Sequence, residues 1–139
     1  MIIDNIREFI KECPLLENNK INVNYLGGDT VSYTIEQVPT NPLIKRYSDG
    51  GKQKQVLFIF ASRENYDEDV LENMDVAKFY EEFAEWIEEQ NESGNLPILD
   101  GGMISQAMET LTSGYLINSE DRTARFQIQL RLVYYKPRA

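Results

Sequence analysis

Histidine is absent from this sequence. The commonest acid–base side chain and the commonest metal ligand are thereby missing together. Hydrolases built on a serine–histidine or cysteine–histidine pair, and acyltransferases that need a histidine base, are excluded. Cys13 is the single cysteine, so no disulfide can form within the chain. No run approaches the ~18 apolar residues that span a bilayer. The opening MIIDNIREFIKEC mixes charges among its apolar residues, which a signal-peptide core does not do. The expectation is a cytoplasmic product, not exported by the general route and not associated with a membrane. Basic residues are outnumbered: 14 Lys and Arg stand against 23 Asp and Glu, for a formal charge of −9. Binding to a nucleic-acid backbone relies on clustered cations that displace counterions, so tight or sequence-specific binding is not expected.

What is present suffices for one domain of 139 residues, a length that buries about two-thirds of its unfolded surface without disulfides or metal. The most regular stretch is Asp121 to Lys136. Ala124, Phe126, Ile128, Leu130, Leu132 and Tyr134 alternate with Arg125, Gln127, Gln129, Arg131, Val133 and Tyr135, which predicts a long strand with one apolar face and one mostly polar face. Upstream, Ile2, Ile3, Ile6, Phe9 and Ile10 follow a helical period and predict an amphipathic helix ended by Cys13-Pro14. Ile21 to Leu26 and Val31 to Val38 alternate as strands around Gly27-Gly28-Asp29, and a hairpin is expected.

Pro39 and Pro42 open a segment, Thr40 to Lys54, whose Ser48-Asp49-Gly50-Gly51 predicts a tight turn in a projecting hairpin arm. Val56 to Ala61 is apolar throughout and predicts a strand covered on both faces, the central partner of the last strand. Val76 to Asn91 carries Val76, Phe79, Tyr80, Phe83, Trp86 and Ile87 as an apolar stripe, with Asp75 as N-cap and Gly94 as C-cap. Ile104 to Ile117 predicts a strand interrupted at Gly114 and paired antiparallel with the last strand through the turn Asn118 to Arg122. Together these predict an α+β fold: a mostly antiparallel sheet packed by two main helices.

Candidate chemistry is sparse. Glu81, Glu82, Glu85, Glu88 and Glu89 read as a solvated helix face. Asp67, Glu68 and Asp69 lack the spacing of a calcium loop, and the glycine pairs lack that of a phosphate-binding loop. Cys13 reads as a small buried hydrophobe, and no cofactor or metal is implied. The basic residues of the arm, Lys45, Arg46, Lys52 and Lys54, stand out in an acidic chain. Two readings fit them: a solvated hairpin whose lysines discourage edge pairing, or a docking element for an acidic surface, including the acidic helix of another copy.

The succession IREFIKECPLL, INVNYLG, YTIEQVP, IKRYSDGG, the Phe58 to Glu64 run FIFASRE, FYEEFAEWIEEQ, TSGYLI and TARFQIQLRLVYY resembles a family of small proteins of tailed phages and prophages of Gram-positive bacteria, known as tail terminators or minor capsid proteins. The likeness runs from Ile6 to Tyr135. It implies a tail-terminator-like fold and a non-enzymatic, structural role in the virion, assembled in the host cytoplasm. It further implies a homo-oligomeric ring, a hexamer in the particle with a free protein that can stay monomeric, set on the tail tube protein and facing a head-completion protein. DNA would pass an acidic lumen without specific binding. The candidate partner-binding residues are Lys45, Arg46, Tyr47, Asp49, Lys52 and Lys54 on the arm, with Arg125 and Arg131 on the last strand. A minor capsid or head-completion role is the alternative within this class. A small-ligand binding domain or a histidine-free carboxylate enzyme is the alternative outside it.

Overall fold

A computed structural model describes residues 2–16, 21–23, 32–65, 70–120 and 123–138. Among these, the elements are α1 (Ile2–Ile10), a single 3-10 turn (Pro14–Leu16), β1 (Ile21–Val23), β2 (Ser32–Val38), β3 (Leu43–Arg46), β4 (Lys52–Asn65), α2 (Val70–Ser93), β5 (Ile104–Thr110), β6 (Tyr115–Glu120) and β7 (Thr123–Lys136). The fold is α+β, with two helices packed on a mostly antiparallel sheet.

Two strands of fourteen residues each, β4 and β7, form the middle of the sheet. They pair antiparallel over their full length, from Lys52 opposite Lys136 to Asn65 opposite Thr123. Each outer edge is then covered by two short strands in succession. Along β4 lie β2 and, past the Pro39–Pro42 step, β3; along β7 lie β6 and β5. Proline forces that step because it can neither donate to a ladder nor leave its predecessor free to turn helical. The Pro42 carbonyl then accepts from Gln55 N at 2.8 Å, re-joining the chain to β4.

Paired residues share a face, and the period of two carries that face down each strand. Val56, Phe58 and Phe60 of β4 therefore line up with Leu132, Leu130 and Ile128 of β7 and, for Phe60, with Ile35 of β2. All are buried against the helices. Helix α1 contributes Ile3, Ile6, Phe9 and Ile10 and α2 contributes Tyr80, Phe83 and Ile87. Phe60 stacks on Phe83 at 4.6 Å between centroids, while Phe9 meets Trp86 at 5.2 Å and joins the two helices. Full burial of each such side chain contributes about 1.5–3 kcal/mol, so this layer dominates stability.

Several expectations are corrected. Residues 21–23 and β2 are neighbours but run parallel, Ile21 beside Tyr33 and Val23 beside Ile35, rather than as a hairpin. Alternation specifies a strand and its faces but not its direction, and the Gly27-Gly28-Asp29 signal lies outside the described residues. Helix α2 begins at Val70, so Asp75 is inside it rather than its N-cap; no proline or glycine between Val70 and Asp75 stops the helix there. The run Val56 to Ala61 is covered on its second face only in part: Ala61 there is fully buried, with Thr34 and Gln127 beside it, whereas Leu57 and Ile59 remain half-buried. The acidic loop 67–69 lies outside the described residues.

Other expectations hold. The chain breaks between β5 and β6 around Gly114, both antiparallel to β7, but β6 runs on through Asn118 to Glu120, where the sequence predicts a turn, because those residues pair with Arg125, Ala124 and Thr123. Gly94 closes α2 at φ 76°: its N–H reaches the Asn91 carbonyl and that of Asn95 reaches the Gln90 carbonyl, the paired bonds of a Schellman cap. Cys13 is buried, and that burial pushes its thiol above the ordinary 9.0, its hydrogen bond with the Leu15 backbone acting weakly the other way.

Candidate interaction surface

The hairpin β3–β4 turns at residues 47–51, where Tyr47 N donates to the Gly51 carbonyl and Gly50 N to that of Tyr47. Gly50 holds φ 92°, and the Asp49 carboxylate accepts from Gly51 N at 2.8 Å. These bonds explain why Asp-Gly-Gly occurs there: aspartate caps the turn and glycine accepts the left-handed conformation. Gly51 is required for a second reason, because a Cβ there would lie 2.2 Å from the Tyr135 hydroxyl. Tyr135 also meets Tyr47 edge-on at 5.7 Å, and Lys45 sits 5.2 Å over the Tyr47 ring.

The arm does not stand away from the sheet. Its second strand is the start of β4, backed by the end of β7, so Arg46, Lys52 and Lys136 lie in one row across three strands. Arg138 reaches over the turn, its side chain occupying the space next to Gly50. The sheet thus gathers Lys45, Arg46, Lys52, Lys54, Lys136 and Arg138 at one end. None of the six meets a carboxylate among the described residues. Reading the arm alone missed Lys136 and Arg138; their neighbourhood follows only from the β4–β7 register. Asp49, grouped with the arm's cations, is committed to its own turn.

Arg125 and Arg131 are placed differently. They project from the sheet face opposite the helices, each held by a carboxylate of the same chain. Both terminal nitrogens of Arg125 bond Glu36, and its Nε donates to Gln127 at 3.1 Å. Arg131 is held by Glu109, with Nε to Oε2 at 3.1 Å. Gln127 and Gln129 both donate to the Tyr115 hydroxyl, at 2.9 and 3.0 Å. This lattice of bonds fixes a self-neutralised surface in which Leu57 and Ile59 are half-buried apolar members.

At the other end of the helix layer, a groove of about 410 Å³ lies between α2 and the β5–β6 connection. Ala77, Tyr80, Ala84 and Gly114 form its floor, and Glu81, Glu85 and Glu88 its rim. The groove exists because Gly114 lies against Tyr80: a Cβ there would come within 2.5 Å of the Tyr80 Cβ. The three glutamates are exposed and have no cationic partner among the described residues. A second hollow, about 360 Å³, separates the start of α1 from the β2–β3 connection; Ile3, Val38, Pro39, Pro42 and Tyr134 line it, and no carboxylate does.

Among the described residues, no three Asp, Glu or Cys side chains come together as a metal site, and no helix is long and apolar enough to cross a membrane. Comparison of the chain with models of known protein families and with curated proteins gives no match.

Proposed function

We propose that the protein is a structural component of a tailed phage or phage-tail-like particle, a tail terminator. It would settle as a ring, a hexamer, on the last ring of the tail tube, cover the growing edge and offer the head-completion protein its joining surface. The observation that carries this reading is the sequence resemblance in IKRYSDGG, FIFASRE and TARFQIQ. In the structure these three segments are the hairpin, the middle of β4 and the start of β7, so the family-like residues build the sheet rather than a cavity.

Two further features support it. Among the described residues, charge of opposite sign without an ion-pair partner stands at separate places, as a head-to-tail ring contact needs. The bond-locked face of the sheet opposite the helices offers a preorganised surface to a neighbour, and a rigid surface loses little entropy on docking. No chemistry is assigned to any residue. In this reading the acidic excess keeps DNA from adhering as it passes the lumen.

Electron microscopy of particles made without this gene tests the proposal. Headless tails or tubes of uncontrolled length are the expected result. Defective heads beside tails of constant length would move the protein to a capsid or head-completion role, and intact infectious particles would overturn the structural reading.

A further inference from the structure

Directly opposed like charges in a sheet are destabilising. Arg46 faces Lys52, and Lys52 faces Lys136. Among the described residues no carboxylate meets this row, so an anion on a neighbouring molecule would offset it. The molecule carries such anions itself, but out of reach. Thr110 of the groove stands opposite Leu130 on β7, six residues from Lys136, which is about 20 Å along a strand. Tip and groove of one copy therefore cannot meet.

The exposed apolar side chains fall at the same two places. Among the described residues, five large hydrophobics are exposed: Ile44, Ile98, Ile104, Leu111 and Leu116. Ile44 lies in β3 and Ile104 stands opposite Tyr135, both at the basic end, and Ile98 follows Pro97, whose carbonyl accepts from Ser105 at the start of β5. Leu111 bonds Gln129 and Leu116 stands opposite Phe126, flanking the connection that borders the groove. Each end thus combines apolar surface with charge, of opposite signs. That is the composition of an interface core with a steering rim.

We infer that the basic tip of one copy docks into the Glu81–Glu85–Glu88 groove of the next. Arg46 and Lys52 meet the glutamate rim, while the apolar side chains flanking tip and groove are covered by the neighbouring copy. The two surfaces are different, so the contact is heterologous and repeats from copy to copy until it closes. This names the contact within the proposed ring and rests on that reading for its closure.

The test uses the full chain in two charge-reversed forms, R46E/K52E and E81K/E85K, each first checked for wild-type circular dichroism. Equal amounts of isotopically light and heavy protein are treated with a carbodiimide at low salt, and inter-copy Lys–Glu cross-links are identified by mass. Wild type is expected to join Lys45, Lys52 or Lys54 of one copy to Glu81, Glu85 or Glu88 of another. Each variant alone loses these links by at least about tenfold. A one-to-one mixture of the two variants recovers them, because the unaltered tip of E81K/E85K meets the unaltered groove of R46E/K52E, while the two reversed surfaces match each other. Absence of tip-to-groove links in wild type, or no recovery in the mixture, overturns the contact. So does double-stranded DNA retained by wild type and released by R46E/K52E, which would assign the row to phosphate. The two readings fail separately. Uncontrolled tails in the deletion with no recovery in the mixture leave the terminator role and remove the contact; recovery in the mixture with intact particles in the deletion does the reverse.

Discussion

The Tyr80 hydroxyl lies 2.7 Å from that of Ser62 and donates to the Phe126 carbonyl at 2.9 Å. With its one proton on the carbonyl, Tyr80 accepts from Ser62. Helix α2 is thereby tied to both central strands by polar contacts inside the core, where Ser62 is fully buried.

Tyr80→Phe is expected to cost about 1–3 kcal/mol, because it strips a partner from a buried hydroxyl and a part-buried carbonyl. The measurement is the urea midpoint at unchanged slope. Ser62→Ala alone should cost less, and the double variant should cost less than the sum of the two. Strict additivity would show that the three groups do not act as a unit.

Gly114→Ala places a methyl group against the Cβ and ring of Tyr80, within 2.5 Å of atoms near the helix backbone. A side chain anchored that closely cannot swing away, so the helix or the β5–β6 connection must shift, at a cost of about 1–3 kcal/mol. Gly102→Ala has a left-handed backbone but a nearest neighbour at 3.9 Å; it should cost only the conformational penalty of about 1–2 kcal/mol. Thermal melts of the two variants, with cross-linking at the groove, separate crowding from backbone strain: only Gly114→Ala should disturb the groove.

Alkaline pH should weaken the fold through Cys13 and Tyr134. Burial raises both above their ordinary values of 9.0 and 10.0. Between the unfolded and the folded value the unfolded chain has lost the proton while the folded chain retains it. Stability is therefore intact below the unfolded value and falls as pH rises past it. Urea midpoints should decline from pH 9.0 upward, less steeply in Cys13→Ala and, above pH 10.0, in Tyr134→Phe. Parallel declines in all three proteins would assign the loss to other groups.

Reversing charge at Lys45 and Arg46, both exposed, should change stability by no more than about 0.5 kcal/mol, as is usual for surface positions. In a particle-producing strain carrying the variant, tails of irregular length are expected. Tails of normal length would remove the hairpin from assembly.

The sequence was most legible where one period ran for many residues. The alternation from Ala124 to Tyr135 and the stripe from Phe79 to Ile87 have the faces they predict, because burial on one side leaves the chain little choice. Signals that fail are those set by distant partners. Nothing near Ile21 states that it lies parallel to Tyr33, and nothing near Leu57 states that it stays half-buried while Ala61 on the same face is fully buried. The basic cluster was half visible. The arm's four cations stand together in the sequence, but Lys136 and Arg138 join them through a ladder between residues more than eighty positions apart. The groove was hidden for the same reason. Glu81, Glu85 and Glu88 look like any solvated helix face until Gly114 brings the β5–β6 connection against Tyr80.

The unbroken pairing of β4 with β7 makes the middle of the molecule a beam. Its two ends cannot bend independently, since a hinge would have to open ladder bonds in both strands at once. Removing one residue from a strand would turn every later side chain to the opposite face. The beam keeps both faces in register when it is shortened or lengthened two residues at a time in both strands, in steps of about 7 Å. An odd insertion must be taken up as a bulge, as the short strands β3, β5 and β6 do, and in β4 or β7 that bulge would open the central ladder and shift the spacing between the basic end and the groove.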